Sequence, residues 1–355
     1  MDRDPVALDA MGGDAGCAPT IEGAVAAARE DGARVLVVGD QAQLQAHIER
    51  LGAADLLARE ALALVHAPDV VTMDDKPGHA VRKKKQSSMR VACDLVQQGR
   101  ACGALSAGNS GAMMATALLV FGRVDGVVRP AIGTVLPSFS PFGLTLLVDA
   151  GANVDCEPVY LAQFGILGSV YVENVYGVRR PLVGVVSNGE EDAKGTRLTR
   201  EALELLKRTD VNLHGYVEGR DLNKGIVPVI VTDGFTGNVM LKTAEGVFTF
   251  MSATIKAAFE QGSVVDKLAG LMARPVFERI KRKLDPREFG AAPLLGLRRP
   301  AFIAHGGSDA YAVRMGIRAV RRYVEHDVVG AMTAAIARNA HIGAHAADDD
   351  DGDDE

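Results

Sequence analysis

One pattern, repeated along the chain, constrains its fold more than any other feature. Seven times a short apolar run ends in a small, polar, Gly-rich loop that opens into a stretch of helical periodicity. The runs are VALDAMGGD (6–14), VLVVGD (35–40), ALSAGNSGAMM (104–114), LLVDAGAN (146–153), LVGVVSNGEE (182–191), VIVTDGFTGN (229–238) and FIAHGGSDA (302–310). Strands alternating with helices predict right-handed βαβ crossovers and a mainly parallel sheet. The runs are continuously apolar rather than alternating, as strands covered on both faces must be. In such sheets the loops beyond the carboxyl ends of the strands form the ligand crevice. Here those loops are rich in Gly, Asn, Asp and Ser. Gly permits close backbone approach, and the helix starts that follow offer free N–H groups to an anion. The pattern predicts an α/β enzyme with an anionic, phosphate-bearing ligand.

Composition narrows the alternatives. Of 355 residues, 48% are hydrophobic and 24% charged, enough apolar material for a core without disulfide or metal staples. The net charge is −6, but seven acids fall in the final DDDDGDDE, and without them the balance is +1. Residues 341–355 are therefore expected to be a disordered acidic tail. A near-neutral body does not fit a nucleic-acid binder. Cys17, Cys93, Cys102 and Cys156 form no CxxC pair and keep no His cluster, so no metal site is expected and the thiols are read as buried in a reducing compartment. No secretory signal and no 18-residue apolar stretch is present, which points to the cytoplasm. The GxGxxG, Walker and GxSxG fingerprints are absent, which disfavours dehydrogenase, kinase and α/β-hydrolase readings.

Several segments carry candidate chemistry. The cations Arg82, Lys83, Lys84 and Lys85 are too dense for a buried face; they form either a solvated patch or a docking site for an acidic partner. Asn109, Ser110 and Gly111 stand at a helix start, where Ser110 either caps the helix or binds an anion. Asn188 ends a strand and Lys194 follows in the same loop, where it is either an ordinary surface lysine or placed to neutralise phosphate. Asp233 and Asn238 lie beyond another strand, and Asp233 either orients a neighbour or caps the next helix. His305 is either a donor to an anion or a structural residue. Residues 256–300 read differently. Leu268, Leu271, Met272 and Phe277 recur at helical spacing around Pro275 beside a basic run, predicting an amphipathic, Pro-broken helix pair. It either covers the core, joins two protomers or lies on an anionic membrane.

Ten of these strings, in order from residue 7 to residue 310, resemble one family: ALDAMGGD, KPGHAVRKKKQSSM, LSAGNSGAM, RPAIGTVLPS, LVDAGANVDCEP, NGEEDAKGT, VEGRDL, DGFTGNVMLKTAEG, AAPLLGL and HGGSDA. The set is similar to the bacterial PlsX family of phosphate acyltransferases. The resemblance implies a Rossmann-like, three-layer α/β/α, phosphotransacetylase-like fold, as one catalytic domain over 1–340 with a helical protrusion at 256–300. It implies that inorganic phosphate attacks a long-chain acyl-acyl carrier protein to give acyl phosphate, with no cofactor. It also implies a homodimer in peripheral contact with the inner face of the cell membrane, supplying a glycerol-3-phosphate acyltransferase in phospholipid synthesis. On this reading Lys194, Asn188 and Asn238 are catalytic, and Asn109, Ser110, Gly111, Asp233 and His305 bind phosphate or thioester. Arg82 to Lys85 dock the carrier protein, and Leu268, Leu271, Met272 and Phe277 serve membrane or dimer contact. Two alternatives remain: a phosphotransacetylase-like enzyme for coenzyme A thioesters, and a non-catalytic membrane scaffold.

Overall fold

The computed structural model describes residues 4–191 and 193–342. Strands and helices alternate as the repeated pattern predicts. The strands are β1 (Val6–Asp9), β2 (Val35–Gly39), β3 (Leu62–His66), β4 (Gly103–Ser106), β5 (Ala131–Pro137), β6 (Leu144–Val148), β7 (Leu182–Val186), β8 (Asn212–Val217), β9 (Val229–Val231), β10 (Ala292–Leu295) and β11 (Ala301–Ile303). The helices are α1 (Cys17–Glu30), α2 (Gln41–Arg50), α3 (Ala54–Ala58), α4 (Pro77–Lys83), α5 (Ser88–Gln97), α6 (Ser110–Phe121), α7 (Pro158–Tyr176), α8 (Arg197–Lys207), α9 (Gly234–Glu260), α10 (Val264–Lys283), α11 (Ala310–Glu325) and α12 (Val328–Arg338). All strands join one 11-stranded sheet in the order β3-β2-β1-β4-β11-β10-β5-β6-β9-β7-β8.

Helices cover both faces, which explains the unbroken apolar runs. On β1, Val6 and Leu8 face a cluster with Ile21 of α1 and Ile317 of α11, while Ala7 faces one with Met89 of α5 and Met113 of α6. The first cluster continues through Phe164 and Leu167 of α7 to Leu206 of α8. A third, smaller cluster of Leu147, Ile230 and Val217 lies under Met240, Leu241 and Ala244 of α9.

Seven pairings are parallel, but β11 with β10, β10 with β5 and β5 with β6 are antiparallel. Three successive inversions reverse the direction, so β6, β9, β7 and β8 run opposite to the first five strands in pairing order. A twist of about 20° per strand turns the second half roughly a quarter-turn against the first. The strand-end loops therefore fall into two groups instead of the single crevice expected from a parallel sheet. One apolar cluster spans both halves: Ala112 and Met113 of α6 belong to it together with Ala150, and Ala152 and Leu241 pack against it.

The helical protrusion differs from its expected form. It is the hairpin of α9 and α10, and it begins earlier than residue 256, since Gly234 and Gly237 are the buried residues of the 27-residue α9. It also ends before residue 300, because β10 is in the sheet with Leu294 and Leu295 fully buried. Pro275 does not break α10, which runs through it. On a solvated helix, water satisfies the carbonyl that Pro leaves without a partner. Leu268 (57%), Leu271 (66%) and Met272 (82%) are exposed. Phe277 instead packs edge-on against Phe259 at 5.5 Å between centroids and ties the two helices together. Among the described residues no helix is long and apolar enough to cross a membrane. Residues 340–342 form a short turn with Ile342 buried; the rest of the acidic tail lies outside the described residues.

Candidate functional site

The first loop group is built on Asp9, which ends β1 with 2% exposure. Ser106 Oγ donates to Asp9 Oδ2 at 2.7 Å and itself accepts the Gly108 N–H at 3.0 Å. Burial raises the Asp9 pKa, opposed by hydrogen bonds from Ser106 and the Met11 amide. Gly12 leaves no room for a side chain, since a Cβ there would lie 2.8 Å from Gly108 N and 2.9 Å from Asp9 Oδ2. Asp14 N donates to Gly306 O at 2.9 Å, bringing the β11 loop to the β1 loop.

Around this centre stand four residues singled out from the sequence, Asn109, Ser110, Gly111 and His305, with the basic run close by. Asn109, not Ser110, caps α6, accepting from Ala112 N at 3.0 Å. Its amide is spent as well, donating to Met73 O at 3.0 Å and Asp75 O at 2.9 Å. Asn109 thus fastens the 73–75 loop over the helix start. Ser110 and Gly111 are exposed in the first turn, and a Cβ on Gly111 would lie 2.9 Å from Pro77 Cγ of α4. His305 is exposed, and its Nδ1 accepts the Gly307 amide at 3.0 Å. A backbone donor at Nδ1 places the neutral ring's proton on Nε2, so Nε2–H is free to donate outward. The basic run splits. Lys84 Nζ lies 2.5 Å from Asp75 Oδ2 and donates to Val70 O at 2.8 Å, so Lys84 is a structural cation rather than part of an open patch. Lys84 and the Thr72 amide hold the Asp75 carboxyl down at about 2. Arg82, Lys83 and Lys85 are exposed, and among the described residues none of the three is in an ion pair.

The second loop group is built on Asp149, which is fully buried at the end of β6. It accepts from Ile132 N at 3.0 Å, Ala152 N at 3.1 Å, Asn153 N at 2.7 Å and Asn153 Nδ2 at 2.8 Å. Burial raises its pKa, and these donors, Ala152 and Asn153 foremost, oppose the rise. The start of α9 is pressed against this turn. Gly234 N donates to Asn153 O at 2.7 Å, and Cβ atoms at Gly234 and Gly237 would sit 2.6 Å from Asn153 O and 1.9 Å from Asp149 O. Asp233 caps α9, accepting from Thr236 N and Thr236 Oγ1, each at 2.8 Å. Asn238 is exposed in the second turn, with its Cβ 3.6 Å from the Cβ position of Gly151.

On the same edge, β7 pairs with β9 and its loop carries Asn188 and Lys194. Asn188 Oδ1 accepts the Gly195 amide at 2.9 Å and closes that loop. Lys194 is exposed, its stem lying over Gly189, where a Cβ would be 2.8 Å from Lys194 Cγ. Nearby, Glu190, Glu218 and Asp221 bring carboxylate oxygens within 4.8 Å of one another. Their charges are met by Arg220, which bridges Glu190 and Glu218, and by Lys224, 2.6 Å from Asp221.

Asn188, Lys194, Asp233 and Asn238 are thus gathered on one edge, and Asn109, Ser110, Gly111 and His305 in the other group. Sequence reasoning did not single out Asp9, Ser106, Asp149 or Asn153. The signal was present: in both ALDAMGGD and LVDAGAN an Asp ends an apolar strand just before a Gly turn, where its oxygens meet the free amides of that turn.

The profile described as "Fatty acid synthesis protein" matches residues 5–331. Relatives named phosphate acyltransferase include one from Anaeromyxobacter dehalogenans, 50% identical over 315 residues, covering 88% of this chain and 85% of the relative. Another, from Elusimicrobium minutum, is 45% identical over 337 residues, covering 95% of this chain and 97% of the relative. Among solved structures, a phosphotransacetylase from Streptococcus pyogenes superposes with a TM-score of 0.61 over 91% of this chain and 94% of its own, at 16% identity. A branched-chain phosphotransacylase from Enterococcus faecalis gives a TM-score of 0.50 at 12% identity, over 89% of this chain and 98% of its own. These likenesses show a phosphotransacetylase-like fold. With half the residues identical to a phosphate acyltransferase along most of its length, the chain belongs to the PlsX family of fatty acid synthesis proteins and is an acyltransferase.

Proposed function

We propose that the chain transfers a long-chain acyl group from acyl carrier protein to inorganic phosphate. The observation that supports this reading, beside the family, is the parallel pairing of β7 with β9, which puts the loop of Asn188 and Lys194 and the helix start of Asn238 on one edge of the sheet. Neighbouring strands are about 4.8 Å apart, so the two segments that carry this cation and these two amides leave the sheet side by side. Lys194 neutralises the phosphate and holds it for attack. An oxygen of monohydrogen phosphate adds to the thioester carbonyl carbon, forming the new C–O bond. Asn188 and Asn238 donate to the carbonyl oxygen as it gains charge. Collapse breaks the C–S bond, the electron pair leaves on sulfur, and the phosphate's proton ends on the released thiol. A thiol with a pKa near about 8.5 leaves without a dedicated general acid. Catalysis is then positioning plus charge stabilisation, and it uses no cofactor. Ser110 and Gly111, in the exposed first turn of α6, and the Nε2–H of His305 belong to the other loop group and bind the carrier-linked part of the substrate, away from the reacting carbonyl. Asn109 and Asp233 serve as caps that fix the two helix starts.

Arg82 and Lys83, in the last turn of α4, and Lys85 just beyond it dock the acidic carrier, on a segment that Lys84 and Asp75 hold in place. Reversing the three charges is expected to raise KM for the carrier-linked substrate at least about tenfold at low salt, and less as salt screens the patch. KM for the matching coenzyme A thioester is expected to move less than about twofold. Equal effects on both thioesters, or none, contradict docking at this patch.

We further propose a homodimer and one catalytic domain over 1–340, in peripheral contact with the inner face of the cell membrane. The exposure of Leu268, Leu271 and Met272 beside Arg274 and Arg279 on α10 supports both contacts. Acyl phosphate would pass to a glycerol-3-phosphate acyltransferase.

A further inference from the structure

The first two turns of α9 carry an apolar surface that the mechanism above does not use. Phe235 is 63% exposed and Val239 is 49% exposed. They are four residues apart and share one face of the helix, with Asn238 beside them. Val154 is 60% exposed. The bond from Gly234 N to Asn153 O, at 2.7 Å, joins the segments that carry Val154 and Phe235. The three residues thus lie on the segments next to Asn238 and Gly151, beside the Asn238 amide that meets the thioester carbonyl on the reading above.

This patch is separate from the hairpin surface. Lys242 and Glu245 form an ion pair at 2.8 Å, and with exposed Thr243 they interrupt the helix before Val247 and Phe250 begin the second apolar stretch. It is also too small to hold a protein. One aromatic and two valines offer at most roughly 400 Å², half of the about 800 Å² a side that a stable partner requires. A methylene chain needs far less, since each buried CH2 removes about 30 Å² from water.

We propose that Phe235, Val239 and Val154 seat the acyl chain of the substrate and set the enzyme's preference for long chains. The proposal rests on the acyl-transfer reading and names the residues that recognise the chain. Burial of the chain against Phe235 and Val239 holds the carbonyl beside Asn238, and a short acyl group gains nothing from that surface.

The test compares palmitoyl- and butyryl-acyl carrier protein with the full chain and the double variant Phe235→Ala/Val239→Ser. Both positions are exposed, and the variant is expected to fold. The ratio of kcat/KM for the C16 substrate to that for the C4 substrate is expected to fall at least about tenfold. Phe235→Leu should restore most of it. Phe250→Ser, beyond the ion pair, should leave the ratio as it is. A double variant that loses both substrates equally, or neither, overturns the proposal. So does one that changes the oligomeric state in sedimentation, because the patch then belongs to contact between copies. If the wild-type chain turns over neither substrate, the acyl-transfer reading itself fails. Binding of a fluorescent C18 fatty acid then decides: weakening at least about tenfold in the double variant upholds an acyl seat, and unchanged binding overturns it.

Discussion

Gly237→Ala is expected to cost the protein about 3 kcal/mol and to lower its turnover at least about a hundredfold. In a solvated helix the same change would be favourable by up to about 1 kcal/mol. Here the new methyl would lie 1.9 Å from Asp149 O, and the atom in its way is backbone. Either α9 moves outward or the turn gives way. That turn is held by the buried Asp149 carboxylate through the amides of Ile132, Ala152 and Asn153, so it cannot shift without leaving buried polar groups unpaired. Movement of α9 would carry Asn238 out of place. Gly246→Ala on the same helix is the control. Outside the helix's own backbone nothing lies within 4 Å of its Cβ position, and it is expected to stabilise slightly. Denaturant unfolding of the two variants reads both signs, and a neutral Gly237→Ala would contradict the packing described.

Lys194→Ala is expected to lower kcat/KM for phosphate by about a hundredfold or more while leaving thermal stability almost unchanged. Lys194 is exposed, so little folding energy depends on it. Asn188 closes the loop onto the Gly195 amide rather than onto the lysine, so the loop keeps its shape when the side chain is removed. Lys194→Arg keeps the charge with a different donor geometry and should recover part of the loss. The measurement is a phosphate titration at saturating acyl carrier protein. Full turnover of Lys194→Ala at subsaturating phosphate would remove the residue from the mechanism.

Much of this architecture was legible because it is written locally. Each of the seven apolar runs became a strand, namely β1, β2, β4, β6, β7, β9 and β11, and each following loop opened into a helix or an element leading to one. β3 lacks a Gly-rich loop, and β8 is a partly exposed edge strand with a mixed sequence, so neither matched the pattern. The larger omission was the reversal of the sheet. It depends on β10, four residues that pair first with β11 and then with β5, and no periodicity in APLL announces two partners. The hairpin boundaries were misread for a related reason: apolar residues on a solvated helix and apolar residues in a central strand look alike until their neighbours are known.

Site residues divided in the same way. Caps such as Asp233 follow from residue type and position. The use of the Asn109 amide does not, because its partners Met73 and Asp75 lie more than 30 positions earlier in the chain. Lys84 shows the same limit, being one of four adjacent cations of which only it meets Asp75.

The most direct test of the account is phosphate-dependent consumption of palmitoyl-acyl carrier protein, with the product trapped by hydroxylamine and with palmitoyl- and acetyl-coenzyme A in parallel. The account predicts trapped palmitoyl hydroxamate from the carrier-linked substrate only when phosphate is present, and little product from acetyl-coenzyme A. Turnover of acetyl-coenzyme A alone, or no turnover of any thioester, would contradict it.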